Sequence, residues 1–371
     1  MKIWHFNPEN DLSLANGDAN FVAPASARKL AEDLSLLPKW YAAKEDFIIA
    51  DSDATIVCDD LDRIIPWGWS LQEAVKLRKK GVPEKFLPSL HCLERIRSLS
   101  HRRTATKILS SLALSERYDF TIPDLPEELY TQQEVFSLLE ISRDQLLKMP
   151  WSSSGKGLCW CNLFSDGDIM RWLKAPLRKM GSVMAETIYA KAVDFAMGFE
   201  VAEDGRVRFA GYSLFETDER GAYRGNVLLS NARIREYLAS YVAEEQLEIL
   251  ENELSHILER LISSAYVGYL GVDMMIYKTE NGYAIHPCVE MNLRMTMGMV
   301  ARLFFDNHLD EGAKGIFRID HNIKPNALLY LHEEYLCKWP IKEIGKRIKS
   351  GYISLTPVNG MTHYSAYALL E

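Results

Sequence analysis

The sequence predicts a chain that combines α/β and α+β organisation, and three observations carry that expectation. A strand–helix–strand pattern opens the chain. Helical stretches fill residues 70–115 and 231–265, and two β-type runs flank an Asn-Gly pair near residue 281. At 371 residues the chain has room for two or three folded units.

KIWHF (2–6), FIIA (47–50) and TIVC (55–58) are short β-type runs bounded by Asp, Asn and Pro. Between them, after Pro24, ASARKLAEDLSLL (25–37) repeats apolar residues at helical spacing. This βαβ-like start has no GxGxxG turn, which argues against a dinucleotide site. Helices follow across 70–115, punctuated at Gly81-Val-Pro83 and Leu87-Pro88. Pro123 and Pro126 mark a loop, and Gln132–Leu139 reads as a helix. LLKMP (146–150) reads as a strand end, WSSSGKG (151–157) as a loop, and VMAETIYA (183–190) as a strand and hinge. Residues 231–265 form one or two long amphipathic helices. GYLGVDMMIY (268–277) and YAIHPCVEMNLR (283–294) form a hairpin turning at Asn281-Gly282. The last 40 residues give strand-like and helical pieces with no assigned place.

A hydrophobic content of 47% and a charged content of 25% are those of an ordinary globular protein. The net charge of −8 speaks against nucleic acid as a partner. Six scattered cysteines without a CxxC pair read as reduced thiols, so a cytoplasmic location is expected. MKIWHFNPEND meets charge by residue 9 and has no apolar core, so no secretory leader is expected. No apolar run of 18 residues occurs, so no membrane partner is expected.

Chemistry concentrates in CVEMNLRMTMG (288–298). In a strand, Glu290, Asn292 and Arg294 share a face, roughly 7 Å apart in succession. A turn centred on Glu280–Asn281 would set Asp273 across from Cys288 and diagonally beside Glu290. Two carboxylates and an amide oxygen repel unless a cation lies among them, and hard oxygen donors suit Mg2+. Arg294 can neutralise an anion or a developing negative charge. The plain alternative is a solvated sheet face. Upstream, Lys148 precedes the 151–157 loop, where Ser153, Ser154, Gly155 and Lys156 can wrap phosphate oxygens. This is not a Walker A loop, since its only GK is followed by Gly157, and a surface turn is the alternative.

Taken in order, these pieces resemble the ATP-grasp superfamily over roughly residues 100–305: a strand-ending lysine, a Ser/Gly loop, a strand carrying Glu186, a hairpin aspartate, then E-x-N-x-R. The resemblance implies two α+β subdomains clasping ATP, at 100–183 and 184–330. An α/β N-terminal domain (1–99) would precede them, and a C-terminal extension (331–371) would follow. It implies an ADP-forming ligase joining a carboxylate to an amine or thiol through an acyl phosphate, with Mg2+ as metal and Mn2+ as substitute. It places Lys148 against the phosphates and adenine, Ser152–Gly157 as the closing loop, Glu186 and Tyr189 at the adenine hinge, and Asp194 near the ribose. Asp273, Glu290 and Asn292 become the metal ligands. GAYRGN (221–226) resembles a stretch of the amino-acid-ligase branch, implying that Arg224 and Asn226 face the γ-phosphate and acyl phosphate. Arg294 would stabilise the transferring group.

The chain departs from that pattern in several places. SHRRTATKIL (100–109) stands where a D-K pair is common, making Arg103 the expected phosphate cation with Arg102 and Lys107 as rivals. KMP has one residue more than the common K-P, Leu293 replaces a proline, and Asp194 falls one position late. FNPENDLSLANGDANF (6–21) ends the first strand, where α/β sheets bind ligands, so Asn7, Glu9, Asn10 and Asp11 are candidate substrate contacts; a solvated loop is the rival reading. PWGWS (66–70) reads as a packed aromatic corner. His5, His91, His101 and His286 read as structural. Small carboxylate and amine substrates, or a peptide acceptor, are the expected partners, with a homodimer as the commonest assembly. A kinase on the same fold and a nucleotide-binding module without turnover are the rival functions.

Overall fold

A computed structural model describes residues 1–50, 60–152, 155, 157–218, 221 and 223–371. The predicted run 55–58 and the candidates Ser153, Ser154 and Lys156 lie outside the described residues.

Three sheets organise the described residues. The first takes β1 (Lys2–His5), β2 (Phe47–Ile49) and β3 (Arg63–Pro66), all parallel, in the order β2-β1-β3. The helix Ala25–Asp33 lies between β1 and β2 in the chain, as the opening pattern predicts. Ile3, Ile49 and Ile64 bury against Leu77 and Val82. The predicted aromatic corner packs as expected, with Trp67 edge-on to Phe6 at 5.0 Å.

The second sheet is antiparallel, in the order β4-β7-β5-β6, from β4 (Glu127–Leu129), β5 (Gln145–Lys148), β6 (Leu158–Trp160) and β7 (Val183–Thr187). The helix Gln132–Ile141 starts on a capping box between Thr131 and Glu134. A second helix, Asp166–Met180, was not predicted; it ends at Gly181 in the left-handed conformation, φ 84°.

The third sheet has nine antiparallel strands in the order β12-β11-β8-β9-β10-β13-β16-β15-β14. They are β8 (Lys191–Val201), β9 (Val207–Thr217), β10 (Tyr223–Leu228), β11 (Gly268–Thr279), β12 (Gly282–Asn292), β13 (Gly315–His321), β14 (Lys342–Ile344), β15 (Arg347–Ser354) and β16 (Tyr364–Leu370). Phe195, Met197, Leu214, Val272 and Met274 bury on one face against Leu250, Leu254 and Leu258 of the helix Glu244–Ile262. The helix Met297–His308 crosses the opposite face. It comes close at Gly198, where a Cβ would sit 2.0 Å from Met299 Sδ, and at Gly211, where one would sit 2.7 Å from Arg302 Cδ.

Residues 342–370, strand-like and helical pieces given no place by the sequence, add three strands to this sheet beside β13. Such pairing is long-range and leaves no local signature. It needs Gly315, where a Cβ would meet the Leu369 carbonyl at 2.1 Å.

The hairpin register also differs from expectation. From Thr279 opposite Gly282 to Met275 opposite His286, pairing follows the predicted turn. It then slips, so that Asp273 faces Glu290 directly rather than Cys288. The slip falls within residues 287–289, opposite Met274, and this stretch opens with Pro287, which has no N–H to give the ladder.

Candidate active site

Pairing across β11 and β12 puts Asp273 and Glu290 on one face, with Asn292 next along the strand. Asn292 Nδ2 donates to Asp273 Oδ2 at 2.9 Å. Burial first, and Glu290 second, push the Asp273 carboxyl up to about 7. Proximity of like charge in a half-dry setting has that effect.

Two arginines offset these acids. Arg102 Nη1 donates to Glu290 Oε2 at 2.7 Å, its Nη2 to Ser152 Oγ at 3.1 Å and its Nε to the Met149 carbonyl at 3.1 Å. It thereby links the acids to the start of the Ser/Gly loop. Arg294 makes a two-pronged pair with Asp11, Nε to Oδ1 at 2.7 Å and Nη2 to Oδ2 at 2.8 Å. Its Nη2 also donates to Asn292 Oδ1 at 2.9 Å, and its Nη1 to the Met295 carbonyl at 3.1 Å. Asn10, Asp11, Leu14, Ser100, Trp151, Ser152, Glu290, Asn292 and Arg294 line one cleft between the N-terminal segment and the hairpin.

Lys148 ends β5 and pairs with Glu186 on β7, both buried. The Cys288 thiol is pushed up by burial, and then by Asp273, Glu186 and Glu290, so it lies within electrostatic reach of both acid groups. The same lysine helps burial hold His286 down at about 3, an uncharged ring at neutral pH. The Tyr189 ring sits 4.4 Å from that of Tyr277, and its hydroxyl accepts from the Asp124 N–H at 2.8 Å.

The other expected residues have varied surroundings. Arg103 points to Glu128, 3.7 Å away, while its neighbour Arg102 reaches the acids, because the helix beginning at Arg103 turns the two side chains apart. Asp194 is held by Lys191 at 2.5 Å and Thr217 at 2.9 Å. Asn226 is buried inside the sheet, its Nδ2 donating to Ser213 Oγ at 2.6 Å and the Leu214 carbonyl at 3.1 Å. Arg224 is exposed. Of the N-terminal candidates, Asn7 turns inward to the Gly68 carbonyl at 2.9 Å, and buried Glu9 is raised by burial. Asn10 and Asp11 reach the cleft. Ser100 and Trp151 were not anticipated as cleft residues; Trp151 leads directly into the Ser/Gly loop, which is the one local signal they offered.

Among the described residues, no group of three His, Cys, Asp or Glu side chains is arranged to hold a metal unaided. Two facing carboxylates and an amide oxygen nevertheless fit Mg2+, which keeps waters and takes phosphate oxygens to complete its shell. Among the described residues, no helix is long and apolar enough to cross a membrane.

No family model matches the sequence, and no curated protein matches it. Solved structures do share its architecture. An N5-carboxyaminoimidazole synthase from Aspergillus clavatus, in complex with ADP and 5-aminoimidazole ribonucleotide, matches at TM-score 0.52 and 14% identity, over 100% of this chain and 94% of that one. A biotin carboxylase from Campylobacter jejuni matches at TM-score 0.53 and 10% identity, over 100% and 87%. An N5-carboxyaminoimidazole synthetase from Staphylococcus aureus, complexed with ADP, matches at TM-score 0.51 and 14% identity, over 100% and 93%. This chain therefore has the ATP-grasp fold.

Proposed function

We propose that the protein is an ADP-forming, ATP-dependent ligase that joins a small carboxylate to an amine through an acyl phosphate. One observation carries the reading: Asp273, Glu290, Asn292 and Arg294 converge with Arg102 beside the Ser/Gly loop, within a fold whose solved examples hold ADP. Residues 1–99 form the acceptor-side domain in this reading, 100–183 and 184–330 the two halves that clasp ATP, and 331–371 an extension of the second half.

Asp273, Glu290 and Asn292 hold Mg2+ when it is bound, which offsets charge on the nucleotide phosphates. Lys148 and the 152–157 loop bind and orient those phosphates. Arg102 takes the cation role first expected of Arg103, because it already contacts both the loop and Glu290. Glu186 and Tyr189 belong to the adenine hinge. The substrate carboxylate attacks the γ-phosphorus and ADP leaves; Arg294 stabilises the transferring group and then the oxyanion formed when the amine attacks the acyl phosphate, before inorganic phosphate is expelled. Arg224 and Asn226 are weaker candidates for that task, one exposed and the other satisfied within the sheet.

Hydroxylamine trapping tests the reading. With Mg-ATP, a panel of small carboxylic acids and hydroxylamine, the expected products are ADP and a hydroxamate in equal amounts. ADP with a stable phosphorylated product and no hydroxamate would establish the kinase alternative. Mg-ATP left intact across the panel, with nucleotide still bound, would establish the inactive module.

A further inference from the structure

We infer that Asp11 is a positioning residue for Arg294: its carboxylate keeps the guanidinium off Asp273 and Glu290, the two carboxylates assigned to Mg2+. The inference rests on the metal reading above and adds a residue from outside the hairpin. Four of the five guanidinium N–H groups are already engaged, two by Asp11, one by Asn292 Oδ1 and one by the Met295 carbonyl. A two-pronged carboxylate pair fixes both the plane and the position of an arginine. Asp273 and Glu290 also act electrostatically on Arg294. With Asp11 neutralised, they are the nearest acids left to receive its charge. The guanidinium would then move from its present contact with Asn292 Oδ1 onto the two carboxylates and take the place of the cation.

Asp11 is held by contacts that do not involve the hairpin. Its helix, Asn10–Asn16, is tied by Ser13 Oγ donating to Ser70 Oγ at 3.0 Å and by Arg97 Nε donating to the Leu14 carbonyl at 2.7 Å. Asn10, with its amide turned to donate, bonds the Gly68 and Trp69 carbonyls at 3.1 and 3.2 Å. Replacing the Asp11 carboxylate by an amide therefore removes a charge without removing the anchor of the segment.

The test is Mn2+ binding to the full chain in the presence of ADP, followed by electron paramagnetic resonance, for the wild type, Asp11→Asn, Arg294→Gln and the double variant. Losing a partner that orients a metal site typically costs about 10–100-fold in affinity, so Asp11→Asn should weaken Mn2+ by about tenfold or more. The double variant should return to the affinity of Arg294→Gln, because the residue-294 guanidinium is no longer there to move onto the acids. Asp11→Glu, which keeps the charge, should stay within about threefold of wild type. Wild-type affinity in Asp11→Asn would overturn the role, as would a double variant no tighter than Asp11→Asn, which would mark Asp11 as a mere prop for its helix. A wild type that binds ADP but no Mn2+ removes the metal reading itself, and the Asp11 role with it.

Discussion

Arg294 and Asp273 are the two residues whose surroundings set the chemistry most directly. If Arg294 stabilises charge that develops only during reaction, Arg294→Ala should leave ADP affinity near wild type. Turnover should fall about 10²–10³-fold, equivalent to about 2.7–4 kcal/mol of barrier. Calorimetry of ADP binding beside initial rates checks this, and equal losses in both would deny the role. Asp273 makes a prediction about pH. With its carboxyl raised to about 7 by burial and Glu290, the folded protein holds a proton that the unfolded chain has already released. That contribution to stability is complete below the ordinary carboxylate range and is lost as pH rises through about 7. Metal-free Asp273→Asn should therefore gain on the wild type between about pH 5 and about 8, by at most about 1.4 kcal/mol per pH unit. Urea midpoints across that range would show it, and a constant difference would refute it. The acids and Arg294 were legible in the sequence because strand alternation is a local rule. Arg102 and Arg103 were not separable, since which of two adjacent arginines faces a cleft depends on where the next helix begins.

Elements hold this geometry through close approach and through one irregularity. Helix Met297–His308 lies on the sheet because Gly198 leaves room for Met299. Gly198→Ala should cost about 1–3 kcal/mol, as overpacking of a filled core does. Combined with Met299→Ala, which empties the contested space, the loss should fall short of the sum of the two single losses. Chemical denaturation of the four proteins measures that coupling, and strict additivity would deny the contact its importance. The slip within residues 287–289 is the element-scale counterpart. Turn chemistry near Asn281 fixed the pairing only as far as Met275 and His286. Beyond it, a residue without an N–H decided which acids meet, and periodicity alone carries no mark of such a break.

Across the whole molecule, the N-terminal layer is tied to strands from the far end of the chain. Trp40 Nε1 donates to the Leu355 carbonyl at 2.7 Å, and the His308 ring meets the Trp40 carbonyl at 2.9 Å. The His363 and Tyr364 N–H groups both donate to Asp33 Oδ2, at 2.8 and 3.0 Å. These ties predict one cooperative unfolding transition, with tryptophan fluorescence and far-UV circular dichroism coinciding in urea. An early fluorescence change would instead mark separate loss of the N-terminal layer. None of these ties was visible in the sequence. The opening βαβ pattern and the hairpin were, and so the fold class was readable while the role of the last 40 residues was not.

The order in which charges meet has a kinetic consequence. Asn292 and Asp273 lie only 19 residues apart, whereas Arg102 reaches Glu290 across 188 and Asp11 reaches Arg294 across 283. In a nascent hairpin the acids therefore have only Arg294 as a counter-charge, until Arg102 comes to Glu290 and Asp11 draws Arg294 away. Refolding at neutral pH and low salt should be slowed by that exchange of partners. Millimolar Mg2+, by occupying the acids, should quicken it, leaving a trace of the ligand's charge in the folding rate itself.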